Sequence, residues 1–205
     1  YDYMLLYKAA LDAGKPARSV PVNDEEEENW RKHMGLMTSK PILYVCNVNE
    51  GDAANGNALS QKVFDLAAKQ GAEAVVICAS IESEIAQLSA AAERKEFLER
   101  IGLTERGLNR IPRAGCRLLG LQTYFTAGPK EARAWTIHIG DKAPQAAGVI
   151  HTDFQRGFIK ADVISFADFV GCKGEQGAKD SGKLRQEGKE YGVADGDVIL
   201  CKFNV

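Results

Sequence analysis

The sequence predicts two architectures in succession: an α/β region with parallel strands, then a compact α+β roll. Three observations carry this. Between about residues 40 and 118, short apolar runs alternate with helical patterns. Beyond about residue 119, runs of β-forming residues flank turn signals. The composition, 45% hydrophobic and 26% charged over 205 residues, is that of an ordinary folded protein. It excludes disordered, collagen-like and mucin-like classes, and the length gives a sizeable core.

The first zone, about 1–39, reads as helix, loop, helix. Met4, Leu5, Ala9 and Ala10 form a helical stripe, which Gly14, Pro16 and Pro21 interrupt. The acidic run Asp24 to Glu28 suits a helix start, where negative charge meets the positive end of the helix dipole. Trp30, Met34 and Met37 are expected as the apolar face of that helix.

The second zone, about 40–118, opens with the apolar run Ile42 to Cys46, bounded by Pro41 and Asn47. Leu59, Val63, Leu66 and Ala67 recur at helical spacing after Asn57, and Gly71 fits a helix stop. Ala74 to Cys78 is a second buried run. Ile81, Ile85, Leu88 and Ala92 then mark a helix for which Ser80 is the expected N-cap. Strand, helix, strand, helix in so short a stretch implies parallel strands joined by a crossover helix. Phe97, Leu98 and Ile101 supply further apolar positions, followed by Arg106, Arg110, Arg113 and Arg117.

The third zone, about 119–205, carries Thr123 to Thr126 and Ala134 to Ile137 around the turn signal Gly128-Pro129. A short helix is expected over 146–154 and a strand over 158–165. Asp195-Gly196 marks a turn before the strand Val198-Ile199-Leu200. Two strands, a helix and two strands describe a roll of the β-grasp type.

Net charge is −2, which argues against readout of duplex DNA. No apolar run approaches the roughly 18–20 residues of a membrane-spanning helix. Five widely spaced cysteines, an odd number without a CxxC, read as reduced and mostly buried thiols of a cytoplasmic protein. No signal peptide is legible, and the opening Tyr1-Asp2-Tyr3, without an initiating Met, predicts a piece of a longer chain.

In parallel α/β sheets, ligands sit beyond the carboxyl ends of the strands. Here those ends are Asn47-Val48-Asn49-Glu50 and Cys78-Ala79-Ser80. The first has the form N-x-x-acidic, the pattern by which Ras-like GTPases read a purine. The second stands where that fold places its second base loop. A pair of ordinary polar turns is the alternative. No G-x-x-x-x-G-K-[ST] phosphate loop occurs. Gly14-Lys15-Pro16 fails because proline has no N–H for a phosphate, and Gly182-Lys183-Leu184 lacks the hydroxyl. His33, His138 and His151 are scattered and read as structural or surface residues, with Thr152 or Asp153 capping or turning the chain. From Arg117 onward there are twelve Lys and Arg against eleven Asp and Glu. Arg156, Lys160, Lys173, Lys179, Lys183, Arg185 and Lys189 form either a mixed solvated surface or a one-sided patch for structured RNA.

Longer stretches carry a resemblance. They are Lys15 to Ser19, Thr38 to Pro41 leading into Asn47 to Glu50, and Ala58-Leu59 through Ala79 to Glu84. Leu121 to Gly128, Glu131 to Thr136, Ala146 to Phe154 and Asp195 to Leu200 continue it. Over essentially its whole length the chain resembles the Obg-like ATPases of the YchF type. The resemblance implies P-loop nucleotide hydrolases of the translation-factor class, with a helical insertion in the G domain and a C-terminal TGS domain, a ubiquitin-like β-grasp module. It divides the chain into part of the helical insertion (1–39), the C-terminal half of the G domain (40–118) and the TGS domain (119–205). It implies association with the ribosome or ribosomal RNA through the TGS domain, and a preference for ATP over GTP. By the same resemblance, Asn47 contacts the purine edge, Val48 its ring face, and Ala79 or Ser80 supplies the second-loop contact. Val48 and Glu50 replace the Lys and Asp of the usual guanine-reading Asn-Lys-x-Asp, so Glu50 marks the altered specificity. Mg²⁺ is expected with ligands outside this chain, and the chain alone is expected to be inactive. The other readings are a non-catalytic TGS-type module that binds RNA or the ribosome, and a GTPase parent. The 40–118 zone, as half a sheet, is expected to be poorly ordered alone.

Overall fold

Side-chain caps start two of the helices in the N-terminal half, and left-handed glycines end them. A computed structural model describes residues 2–129 and 131–204. The chain divides into two compact units, one ending at Leu119 and one beginning at Gly120.

In the first unit, α1 (Asp2–Asp12) buries Tyr7 among Ala17, Val20 and the half-buried Tyr3, Ala10 and Met34. The expected stripe of Met4, Leu5 and Ala9 is exposed instead. The helix turns its larger aromatic surface inward, and Tyr3 and Tyr7 join hydroxyls at 3.1 Å. α2 (Glu25–Met34) starts where expected: Asp24 accepts a hydrogen bond from Glu27 N–H at 2.8 Å. Of its expected apolar face, Met34 joins the small core, whereas Trp30 and Met37 stand in solvent.

β1 (Leu43–Asn47) and β2 (Glu73–Ile77) pair in parallel, with Val45 opposite Val75. The crossover between them is α3 (Ala58–Gln70). Asn57 Oδ1 caps it by accepting from Leu59 and Ser60 N–H, and Ser60 Oγ in return accepts from Asn57 N–H. Gly71 ends it at φ 62°, a conformation only glycine adopts cheaply. Ser60 and Ala67 are its buried residues; the expected Leu59 and Leu66 are exposed.

α4 (Ala79–Gln87) and α5 (Ala91–Arg100) replace the single helix expected through Ala92. The chain is extended at Leu88, and the Arg94 guanidinium donates to the carbonyls of Leu88 and Ser89 at 2.8 and 3.1 Å, satisfying the break. Ile81 and Ile85 pack with Cys78, Ala53 and Leu103, and Phe97, Leu98 and Ile101 lean on this core. α6 (Gly107–Leu118) begins against buried Glu82, which accepts from Arg106 Nε at 3.1 Å and Leu108 N–H at 3.3 Å. A Cβ on Gly107 would lie 3.1 Å from Ile77 and 3.2 Å from Glu82 Oε1, so glycine lets α6 approach without displacing either side chain.

The second unit is built on β3 (Leu121–Ala127) and β4 (Ala132–His138), an antiparallel pair with Tyr124 opposite Trp135. α7 (Ala143–Ile150) and α8 (Thr152–Arg156) stand in place of the one helix expected over 146–154. They are divided at extended His151, whose Nδ1 accepts from Asp153 N–H at 3.2 Å. β5 (Phe158–Ser165), α9 (Phe166–Gly171), α10 (Glu175–Asp180), β6 (Arg185–Glu187) and β7 (Asp197–Phe203) complete it. Strand order is β4-β3-β7-β5-β6, with β7 parallel to β3 and antiparallel to β5. Five strands thus form the sheet, one more than expected; β6 is a polar edge strand of three residues. Tyr124, Ile137, Val163 and Ile199 form the core with Ala143, Ala146 and Ala147 of α7, and the buried Tyr124 hydroxyl donates to the Ala146 carbonyl at 2.8 Å. Asp195-Gly196 makes the expected turn, with φ 83° at Gly196.

Of the five cysteines, Cys78 alone is buried; the other four are half-buried, a correction to the expectation. Among the described residues, no helix is long and apolar enough to cross a membrane.

Candidate functional site

The two strand-end loops of the first unit are hydrogen-bonded to each other. Parallel pairing carries β1 and β2 to the same end of the sheet, and Val48 N–H donates to the Ile77 carbonyl at 2.9 Å just beyond the ladder. Asn47 Oδ1 accepts from Ala79 N–H at 3.0 Å. Ser80 Oγ donates to Glu50 Oε1 at 3.1 Å. Two side chains from the first loop thus meet two residues of the second, 32 and 30 positions along the chain.

These bonds fix orientations. An N–H can bond only the oxygen end of the Asn47 amide, so the Nδ2 end turns away, with no protein partner among the described residues. It leaves two donors for a ligand acceptor. Ala79 N–H is consumed by Asn47; the neighbouring N–H of Ser80, in the first turn of α4, has no protein partner among the described residues. Asn47, Glu50, Ala79 and Ser80 are exposed, and Val48 is half-buried. Asn47 and Val48 line a groove of about 310 Å³ that continues along β1 to Leu59 and Val63 of α3.

Ser80 is not the N-cap of α4. Cys78 holds that position, and Ser80 is the second helical residue. The local preference of serine for a cap gives way to the distant carboxylate of Glu50. Cys78 Sγ lies 3.1 Å from Ser80 Oγ. With the serine proton given to Glu50, the thiol donates on that side.

The loop after Glu50 is held by residues that motif reading passed over. A single turn, Glu50–Asp52, is fixed as Asp52 Oδ2 accepts from Asn57 Nδ2 at 2.9 Å. Asn57 thereby caps α3 and anchors the loop at once. The N-x-x-S spacing Asn57 to Ser60 was the available signal. The histidines stay apart: His33 Nδ1 meets the Asn29 carbonyl, and His151 meets its own α8. No group of three or more His, Cys, Asp or Glu among the described residues could hold a metal ion.

In the second unit, three of the seven cations take partners inside the fold. Lys160 donates to Gln186, Lys183 pairs with Asp168, and Arg185 packs over Tyr191 and pairs with Glu187 and Asp197. Tyr191 donates to buried Asp197 at 2.7 Å; burial first, then this bond, raise the tyrosine pKa above its ordinary value. Burial lifts the Cys201 thiol to about 11.

Comparison with known proteins places the chain. A family model described as YchF-GTPase_C, "Protein of unknown function (DUF933)", matches residues 121–204. "Ribosome-binding ATPase YchF" of Bacillus subtilis (strain 168) is 49% identical over 207 residues, 100% of this chain and 56% of that protein. The protein of the same name from Escherichia coli O157:H7 is 54% identical over 180 residues, 88% of this chain and 49% of that one. The chain belongs to the YchF family of Obg-like ATPases.

Eukaryotic members align as fully: "Obg-like ATPase 1" of Rattus norvegicus is 44% identical over 209 residues, covering 100% of this chain and 52% of the rat protein. Among solved structures, the Schizosaccharomyces pombe YchF GTPase superposes with a TM-score of 0.77 at 30% identity, covering 97% of this chain and 53% of that one. A Pyrococcus horikoshii GTP-binding protein, 16% identical, shares the fold at a TM-score of 0.56. This YchF-family chain spans about half the length of the curated relatives it matches.

Proposed function

We propose that this chain is the base-reading and ribosome-docking portion of a P-loop nucleotide hydrolase of the translation-factor class. In this reading the whole protein binds and hydrolyses ATP in preference to GTP. Residues 40–118 are the C-terminal half of its G domain, 1–39 part of a helical insertion, and 119–205 a TGS module that meets the ribosome or its RNA.

The observation that carries the reading is the interlock of Asn47 with Ala79 and of Glu50 with Ser80. Its chemistry suits adenine better than guanine. Guanine offers two adjacent donors, a ring N–H and an exocyclic amine, and needs a free carboxylate facing both. Glu50 has one oxygen engaged by Ser80, and its side chain is one methylene longer than the usual aspartate. Leaving donors unpaired in a closed site costs roughly 1–3 kcal/mol each, enough to invert a preference. Asn47 Nδ2 faces the acceptor edge of either purine, the Ser80 N–H adds a donor from the second loop, and Val48 covers the ring face. The names of the bacterial relatives, ribosome-binding ATPases, support both nucleotide and partner.

Magnesium belongs to the same reading through ligands outside this chain. Glu50, the carboxylate at the site, is already held by Ser80. When bound with ATP, the ion neutralises phosphate charge; the residues here orient the base.

The test is nucleotide binding to the full-length protein, followed by calorimetry. ATP is expected to bind more tightly than GTP, and Asn47→Ala to weaken ATP by roughly tenfold, the worth of one lost bond to a base. Tighter GTP binding selects a GTPase parent, a reading favoured by the description of the fission-yeast relative as a GTPase. On the isolated chain, ATP-induced shifts of the Asn47 and Ser80 amide signals separate a nucleotide site from a purely RNA-binding module.

A further inference from the structure

A second, larger cavity is lined by none of the residues Asn47 to Glu50 or Cys78 to Ser80. It measures about 500 Å³ and runs beside β2, walled by Gln61 and Phe64 of α3 and by Arg110, Arg113 and Arg117 of α6. Its floor is Ala74, Val75 and Val76, the middle of β2.

We propose that this groove docks an extended acidic peptide segment of a partner protein, which adds as a strand to the free edge of β2. Two independent features meet there. The first is backbone. β2 pairs with β1 and with no other strand among the described residues. Glu73 N–H donates to the Ile42 carbonyl, and the Ile77 carbonyl accepts from Val48 N–H. In a parallel ladder alternate residues share one direction, so Glu73, Val75 and Ile77 turn their backbone groups to β1. Ala74 and Val76 therefore turn theirs outward, into the groove. Unpaired strand groups beside a cavity are what strand addition uses for affinity.

The second feature is charge. Positions 110, 113 and 117 fall on one face of α6, so three guanidinium groups line one wall. Glu105 and Glu73 face them: Arg113 pairs with Glu105 at 2.9 Å and Arg117 with Glu73 at 3.3 Å. Both arginine side chains are more than 60% exposed, so these pairs exchange at little cost for an incoming carboxylate. Arg110, half-buried, has no carboxylate partner among the described residues. The opposite wall offers the Phe64 ring and the Gln61 amide. Alternating residues of an added strand point to opposite faces, so one set meets the arginines while the other meets Phe64. Acidic residues alternating with β-branched apolar ones match both walls.

The probe is a fluorescent peptide of about eight residues alternating Glu and Val, long enough for one strand. Binding to the full-length protein, and in parallel to the 205-residue chain, is read by anisotropy. The Glu-Val peptide is expected to bind, and the Lys-Val version not to. N-methylating alternate peptide nitrogens, which removes backbone donors and leaves charge intact, is expected to weaken binding by roughly tenfold or more. The Arg110→Ala, Arg117→Ala double variant, checked as folded by circular dichroism, is expected to weaken it similarly. Equal binding of the N-methylated peptide overturns the proposal, since charge alone then explains the affinity. Binding of an oligouridylate that depends on the same arginines, without peptide binding, assigns the groove to RNA and overturns it too. So does peptide binding to this chain but not to the full-length protein, because the protein's own chain then covers the edge.

Discussion

The two units of this chain bury their residues in different ways. The unit from Gly120 closes a five-stranded sheet over α7, and Tyr124, Ala147, Ala161 and Val163 at its centre have no measurable exposure. Among the described residues, the unit ending at Leu119 has two strands, and neither outer edge pairs with another strand. Val45 in β1 is 45% exposed, and Leu59 and Leu66 on α3 stand in solvent. One unit gathers its buried residues into a single core. The other divides them between two smaller cores, around Tyr7 and around Ile85, with a two-stranded sheet beneath its loops. The candidate site lies on the unit with the smaller cores.

The sharpest way to break this contrast is a pair of substitutions. Tyr124→Ala removes the central ring and its bond to Ala146, and is expected to cost about 3–5 kcal/mol, unfolding the second unit in a thermal melt. Leu59→Ser, at an exposed site, is expected to change stability by less than about 0.5 kcal/mol. Equal costs would erase the distinction.

Amide exchange sharpens the same contrast along the chain. Residues 40–118 of the isolated chain are expected to exchange orders of magnitude faster than β3, β5 and β7, because a two-stranded sheet is marginal in water. Uniform protection over 40–118 would show that α6 and the Glu82 contacts suffice.

Glu82 tests what order the first unit has. Its carboxylate caps α6 and pairs with Arg106, so Glu82→Ala is expected to cost roughly 1–3 kcal/mol and to raise exchange at Leu108. A silent substitution would mean that α6 is anchored by its apolar contacts alone.

The smallest expected effect is alkaline. Burial raises the Cys201 pKa from 9.0 to about 11, so between those values the folded thiol holds a proton that the unfolded chain has lost. The folded state binds more protons there, and stability of the second unit falls as pH rises through that window. Burial pushes the Tyr124 phenol up as well, which adds loss in the same direction at higher pH. Denaturant unfolding between about pH 8 and 11 reads the slope, and Cys201→Ala is expected to flatten it.

Several features were legible in the chain because they are decided within a few residues. Asn57 and Gly71 bound α3 as their side-chain and backbone preferences demand. The runs at 42–46 and 74–78 became the parallel strands, and the Asn47 and Ser80 loops were found from strand ends alone. Where two adjacent turns competed, the reading failed. The helices expected as single at Ile81–Ala92 and at 146–154 are each divided, because Arg94 satisfies one break and His151 the other through bonds that apolar spacing does not encode. Arg185-Gln186-Glu187 carries no apolar pattern, so nothing marked it as a strand until β5 supplied a partner.

The same division holds for the whole molecule. By itself the sequence determined the elements whose causes are local: caps, turns, apolar periodicity, and the residue types at the strand ends. Only the tertiary structure decided which faces are buried and what the polar side chains bond. It turned Tyr7 inward and Leu59 outward, joined Ser80 to Glu50 instead of to its own helix, and set three arginines beside an open strand edge. A cap is worth about 1 kcal/mol wherever it stands, whereas a bond across 30 residues exists only once the fold has brought its partners together.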